Sequence, residues 1–526
     1  MAILGSIIAR SLNIRKALAK HRASPLVYQN GTLKKLIEKA QYTSFGKHYE
    51  FEQLLLSTEP LTTEFRKAVP ISDYNTMYAE WWYKLLEGEE NVTWPGKVKY
   101  FALSSGTSES ASKHIPVTSD MIKSVKKVAF KQFYTLTNFD IPHNVFTKGV
   151  LMLGGSTTLQ ETKDYFEGDM SGISAKNIPR LFSNIYYKPG QKISSTPNWE
   201  DRIEMIVENA PNWDVGTICG VPSWAQIVIE RIIEKYELNS IHDIWPNLGV
   251  YIHGGVAFEP YKEWFTKMMG RPIAYIETYM ASEGSFGFKA RSKAKGIKLM
   301  LNTGIFFEFL PFTEDNFDGE GNIIDRKAAT CLINEVKTKT PYAVVLSTCS
   351  GAWRYLIGDV VEFTNTNLSE IIITGRTKQF LSICGEHISV DNLNTAIEKV
   401  IALYDLKVSD YTVVGYGSDS TFAHHWYIGT DNPEIDTTAI KASIDETLMA
   451  INDDYNTERA SSLKQLEITL LPSETFINYM REQGKYGAMN KFPRVMKGKQ
   501  LEGWWQFLKQ NKIETTHSTT QQLYLK

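Results

Sequence analysis

The sequence predicts an α/β protein, with a large N-terminal domain of β-sheets flanked by helices and a small α+β C-terminal domain. Three observations predict it. Short apolar runs end in glycine and lead into helical stretches, the pattern of parallel α/β units. A strand-rich segment with tight turns follows them. A fresh alternation of helices and strands then begins near residue 378.

Residues 1 to about 95 read mainly as helices, with Leu33, Leu36, Ile37 and Ala40 at helical spacing. Trp81, Trp82, Tyr83, Leu85 and Leu86 extend the helical character until Trp94-Pro95-Gly96 breaks it. Lys99 to Leu103 is a short apolar strand that runs into a Ser/Gly/Thr loop, and Met121 to Phe139 is a helix. Three strand–glycine–helix words come next. Gly149 to Leu153 ends in Gly154-Gly155, Val215 to Cys219 ends in Gly220, and Leu248 to Ile252 ends in Gly254-Gly255. Helices Trp224 to Tyr236 and Tyr261 to Met269 follow the last two. Ligands of parallel sheets sit beyond the carboxyl ends of the strands, so these glycine turns are where chemistry belongs. Ile305 to Phe363 is strand-rich and reads as an antiparallel or β-barrel-like subdomain. Past Gly375-Arg376-Thr377-Lys378, a small unit holds the helices Val390 to Tyr404 and Thr437 to Asn452. Its strands are Tyr411 to Tyr416, His425 to Gly429 and Gln465 to Leu471. The expected domains are therefore 1–377 and 378–526.

A chain of 526 residues is too long for one core. Its composition, 43% hydrophobic and 22% charged, is that of a globular protein. A formal net charge of -2 argues against a nucleic-acid or anionic-membrane surface. Cys219, Cys331, Cys349 and Cys384 lie far apart with no metal-ligand spacing, which suits reduced thiols in a cytoplasmic protein. The apolar start, with Ile7, Ile8, Leu12 and Ile14, lacks a signal-peptide pattern and suits an amphipathic helix docked on the body.

Five words can carry chemistry. Ser104-Ser105-Gly106-Thr107-Ser108 follows a strand, and its amides and hydroxyls can ring phosphate oxygens, although it is not a Walker A loop. Tyr279-Met280-Ala281-Ser282-Glu283 offers an aromatic face for a purine and a carboxylate for Mg²⁺. In Tyr355-Leu356-Ile357-Gly358-Asp359 the aspartate can accept from both ribose hydroxyls. Arg376 could reach a ribose or phosphate, and Lys491 stands on a Gly/Pro-bracketed loop. Each word alone is a common turn. Their order is what carries information.

In that order they resemble the adenylate-forming superfamily, and most closely its Gretchen Hagen family of auxin-responsive acyl-acid amido synthetases. That family shares the Ser-Ser-Gly-Thr-Ser, Tyr-x-x-Ser-Glu and Tyr-x-x-Gly-Asp words. The resemblance extends over Thr43 to Tyr49 and Val69 to Tyr74, and so over essentially the whole chain. It implies ATP on Ser104, Ser105, Gly106, Thr107 and Ser108, adenine against Tyr279 with Ser282 beside it, Mg²⁺ on Glu283 and ribose on Asp359 assisted by Arg376. It implies that Gly254, Gly255 and Val256 line the acyl pocket, that Lys378 is a hinge, and that a mobile C-terminal domain delivers Lys491 to the α-phosphate. The expected reaction is acid plus ATP to acyl-adenylate and pyrophosphate, then transfer to an amine, most plausibly of an amino acid, with AMP released. A monomer with no nucleic-acid or membrane partner is expected. The alternatives are an acyl-CoA or aryl-CoA ligase and a non-catalytic nucleotide- or acyl-binding protein. Two departures stand out. Leu356 occupies a position where many relatives have arginine, the nearest being Arg354, and the phosphate loop continues as Glu109 to Lys113.

Overall fold

A computed structural model describes residues 10, 23–104, 113–255, 258–313, 315–318, 321–377, 380–381, 383–386, 388–404, 406, 408–418, 421–432, 435–483, 492–511 and 513. They fall into two compact units, one holding the described residues up to 377 and the other those from 380 onward.

The first unit opens with helix α1 (Pro25–Ala40). Ser24 caps it by accepting from the Val27 amide, and Pro25 occupies the first turn, where no amide partner is needed. Its buried stripe is Leu33, Leu36, Ile37 and Ala40, as the spacing predicts. Gln29 fixes the helix to the body: Nε2 donates to the Leu301 and Ile305 carbonyls at 2.8 and 3.2 Å, and Oε1 accepts from the Phe307 amide at 2.7 Å. The expected helix around Trp81 and Trp82 is present, with a wide π-type turn over Tyr78–Trp82 that buries both indoles.

The strands of this unit begin with β1 (Tyr100–Ser104), β2 (Lys113–Val117), β3 (Gly149–Met152), β4 (Gln160–Glu161) and β5 (Phe166–Gly168). Next come β6 (Tyr187–Lys188), β7 (Val215–Cys219), β8 (Val250–His253), β9 (Ala274–Ala281) and β10 (Gly284–Phe288). The last are β11 (Ile297–Leu299), β12 (Ile305–Pro311), β13 (Pro341–Thr348), β14 (Tyr355–Asn365) and β15 (Glu370–Arg376). Helix α2 (Ser119–Thr135) follows β2, and α3 (Trp199–Asn209) follows β6. Helices α4 (Pro222–Lys235) and α5 (Glu259–Met268) are the crossovers from β7 to β8 and from β8 to β9.

A small sheet has the order β2-β1-β5-β4, and an eleven-stranded sheet runs β12-β13-β14-β15-β11-β10-β9-β8-β7-β3-β6. Strands β6, β3, β7, β8 and β9 pair in parallel, whereas the pairs from β9 through β12 are antiparallel. The strand-rich stretch expected as barrel-like is thus the antiparallel wing of one large sheet, and no barrel closes among the described residues. Its inner face and the N-terminal helices share one apolar core, including Leu33, Phe45, Phe286, Phe307 and Trp353.

The second unit is α+β, as expected. A hairpin, β16 (Phe380–Leu381) and β17 (Ile388–Ser389), precedes helix α6 (Val390–Tyr404). Strands β18 (Val408–Ser418), β19 (Thr421–Thr430) and β20 (Leu463–Pro472) form a sheet in that order. Helix α7 (Thr437–Ile451) lies on the crossover that makes β19 and β20 parallel. Helix α8 (Gly498–Gln510) brings Trp504 into a core with Tyr427, Phe476, Tyr479 and Phe492.

Candidate active site

Asp359 sits directly opposite Arg376 across the β14–β15 ladder. Gly358 precedes it with φ 92°, a left-handed conformation natural to glycine, and this turn aims the carboxylate inward. Arg376 Nε donates to Asp359 Oδ1 at 2.7 Å, and the Tyr279 hydroxyl donates to Oδ2 at 2.5 Å. Burial, and then the nearby Asp359 charge, hold the Tyr279 phenol well above its ordinary range, so it stays protonated and keeps donating. The Tyr279 ring packs edge-on against Phe286, with centroids 4.7 Å apart.

Glu283 ends the same word, in the turn from β9 to β10, and is 8% exposed. Burial pushes its carboxyl up from the usual range, while Lys113 and Arg376 pull it down. The Tyr355 phenol lies against it and is itself raised, first by burial and then by Glu283. Lys113, at the start of β2, has its ammonium 5.4 Å from the centroid of the Tyr74 ring. Ser282 closes the group by donating from Oγ to the Leu103 carbonyl at 3.4 Å, one residue before Ser104. The structure therefore brings Tyr279, Ser282, Glu283, Asp359 and Arg376 together beside the end of β1. Ser105, Gly106, Thr107, Ser108, Val256, Lys378 and Lys491 lie outside the described residues.

Gly254 and Gly255 stand at the carboxyl end of β8, beside β9. A Cβ at Gly254 would come within 2.4 Å of the Thr278 carbonyl, so only glycine permits this approach. The preceding His253 was not singled out from the sequence. It stacks on Phe258 at 4.1 Å, its Nδ1 has no hydrogen-bond partner among the described residues, and burial pulls its pKa down to about 3. Its place immediately before a glycine pair was the available signal.

Arg354 has a different task from the arginine that the Leu356 departure brings to mind. It is 1% exposed and satisfies every guanidinium donor. Nε and Nη2 bind Glu308 at 3.1 and 2.9 Å, Nη1 donates to the Arg66 and Val69 carbonyls, and Nη2 also reaches Thr330 Oγ1. This is an internal brace.

Among solved structures, GH3.15 acyl acid amido synthetase overlays with a TM-score of 0.57 at 17% identity, covering 95% of this chain and 96% of that one. A 2-hydroxyisobutyryl-CoA ligase overlays with 0.57 at 11% identity, covering 91% of each. Both likenesses are of fold: the chain has the architecture that these two ligases share. Sequence patterns of the GH3 family N-terminal domain match residues 15–196 and 126–273, those of its central domain match 298–376, and those of its C-terminal domain match 391–500. The chain belongs to the GH3 family. A jasmonoyl-L-amino acid synthetase, JAR6 of Nicotiana attenuata, is 23% identical across 93% of this chain and 94% of its own length. The indole-3-acetic acid-amido synthetase GH3.4 of Arabidopsis thaliana is 27% identical across 64% of this chain and 53% of its own length.

Proposed function

We propose that this chain joins a carboxylic acid to the amine of an amino acid through an acyl-adenylate, consuming ATP and releasing pyrophosphate and AMP. The carrying observation is the cluster of Tyr279, Asp359, Arg376 and Glu283 beside the strand that leads into Ser104 to Ser108. Membership of a family whose named relatives are amido synthetases supports the acceptor.

A carboxylate is a poor electrophile because its leaving group would be oxide. Attack on the α-phosphorus of ATP replaces that leaving group with AMP. The attacking carboxylate is already ionised at neutral pH, so no base is required for this half. Catalysis is positioning and charge stabilisation. Ser104, Ser105, Gly106, Thr107 and Ser108 hold phosphate oxygens, Asp359 holds the ribose with Arg376 fixing its carboxylate, and Tyr279 borders the adenine. Lys491 supplies the cation at the α-phosphate and withdraws by rotation about Lys378, with 1–377 as adenylation domain and 378–526 as lid. Gly254, Gly255 and Val256 line the acyl pocket.

No group of three His, Cys, Asp or Glu side chains suited to a metal ion occurs among the described residues. One buried carboxylate, Glu283, fits a cation that arrives on nucleotide phosphates and retains its waters, which is the habit of Mg²⁺. Mg²⁺ would there neutralise phosphoryl charge. No helix among the described residues is long and apolar enough to cross a membrane, and the cysteines are thiols, which supports a cytoplasmic setting.

The test is acid-dependent pyrophosphate release over a panel of carboxylic acids, with products weighed after adding pooled amino acids or coenzyme A. Amide products are expected. Thioester alone would replace this reading with the CoA-ligase one. Lys491→Ala should slow pyrophosphate exchange by about 10²-fold or more while ATP still binds. Exchange at the wild-type rate would remove Lys491 from the site.

A further inference from the structure

Arg202 is a buried cation that the reaction above does not use. It lies on α3, is 6% exposed, and its guanidinium rests over the Trp199 ring, 5.0 Å from the centroid. Among the described residues neither Nε nor Nη1 has a hydrogen-bond partner, and the indole Nε1 of Trp199 has none either. Three buried donor nitrogens, carrying four N–H bonds, therefore lack an acceptor within one turn of a helix. Native interiors rarely leave such groups unmatched. The contrast with Arg354 is instructive, since that equally buried guanidinium fills all its donors from protein acceptors. What Arg202 and Trp199 lack is something that only accepts, and an anion suits the guanidinium best.

The register of the small sheet locates these donors relative to the reaction. Gly168 of β5 pairs with Ala102 of β1, two residues before Ser104, and Asp169 follows Gly168 directly in the chain. Burial lowers the Arg202 pKa, and the nearby Asp169 and Tyr187 act against that shift. The Leu103 carbonyl is also the one that receives the Ser282 hydroxyl. The unmatched donors thus neighbour a carboxylate that flanks the nucleotide words. A guanidinium with two unmatched nitrogens close to a carboxylate matches a zwitterion.

We propose that Arg202, together with the Trp199 indole N–H, receives the α-carboxylate of the amino-acid acceptor, beside the phosphate-loop strand β1. This rests on the amide-forming reading above. A second carboxylate on the acyl acid has the same chemistry, and the two sources separate by which KM changes.

The experiment uses the full chain and the amino acid giving most product in the screen, alongside that amino acid's primary amide. The amide keeps the nucleophile and loses the carboxylate. Wild type should favour the amino acid over its amide by about 100-fold or more in kcat/KM, since a charged hydrogen-bonding site left unfilled is strongly selective. Arg202→Gln should lower kcat/KM for the amino acid by about 100-fold, through KM, and for the amide by less than about threefold. Equal losses on both acceptors would overturn the proposal, and so would a rise confined to the KM of the acyl acid. If Arg202→Gln does not fold, wild type alone decides, because a preference near unity overturns it. Pyrophosphate release is read without any acceptor. Its absence with every acid therefore marks failure of the ligase reading, and its presence with no carboxylate preference marks failure of this one.

Discussion

Asp359 accepts from a phenol on one oxygen and a guanidinium on the other, which fixes the carboxylate plane before any ligand arrives. Asp359→Asn keeps the shape but offers one acceptor oxygen where there were two and leaves Arg376 without its counter-charge. We expect acid-dependent pyrophosphate exchange to fall by about 10²-fold, mostly through the KM for ATP, with a minor change in unfolding midpoint. Arg354 gives the opposite signature. Removing one member of a buried ion pair costs about 3–5 kcal/mol because the other charge is left bare. Arg354→Met should therefore lower stability by that amount in denaturant titration. Adding Glu308→Leu should recover most of it, since both charges are then gone. A double variant no more stable than the single one would show that the backbone bonds to Arg66 and Val69 matter more than the pair.

Strand β9 joins the two wings of the large sheet and carries Tyr279, while its neighbour β8 ends in the glycine pair. Gly254→Ala puts a methyl group within 2.4 Å of the Thr278 carbonyl, so β8 must shift against the strand that positions Tyr279. Turnover should drop by roughly tenfold or more while circular dichroism stays native, because misplacement of about 1 Å costs up to 10²-fold. Strand ends like this one were legible in the sequence, because glycine and hydroxyl turns are local chemistry. The same holds for α1, whose buried stripe follows the helical spacing of Leu33, Leu36, Ile37 and Ala40. The strand order of the antiparallel wing was not legible. Alternation identifies strands in Ile305 to Phe363 but not what they pair with, and β11 spans only Ile297–Leu299. The task of Arg354 was hidden for the same reason, since its carboxylate partner lies 46 residues away and two carbonyl partners 285 and 288 away. Arg202 was hidden inside an ordinary amphipathic helix.

Tyr279 and Asp359 belong to strands four places apart in the sheet order, which a flat sheet would separate by about 19 Å. Their 2.5 Å contact requires the sheet to coil strongly, although among the described residues it does not close into the expected barrel-like unit. The C-terminal unit has its own buried polar cluster. Glu386 accepts from the Cys384 and Gly385 amides and pairs with His424 at 2.8 Å. Burial raises the nearby Glu458 carboxyl from 4.5 to about 8. The folded unit thus holds a proton that the unfolded chain has released, so this contribution is full below about 4.5 and is lost as pH rises through about 8. Unfolding titrations of the full chain should show the C-terminal transition weakening from pH 5.5 to 8.5, and Glu458→Gln should flatten that slope. Glu386, lowered to about 2, weakens the same unit only on acidification below about 4.5. The Arg354 brace also bears on how the chain is made. The carbonyls of Arg66 and Val69 receive their guanidinium only after 288 and 285 further residues have been synthesised. At roughly 5–20 residues per second, the N-terminal helices wait about 15–60 s on the ribosome with that corner unfinished.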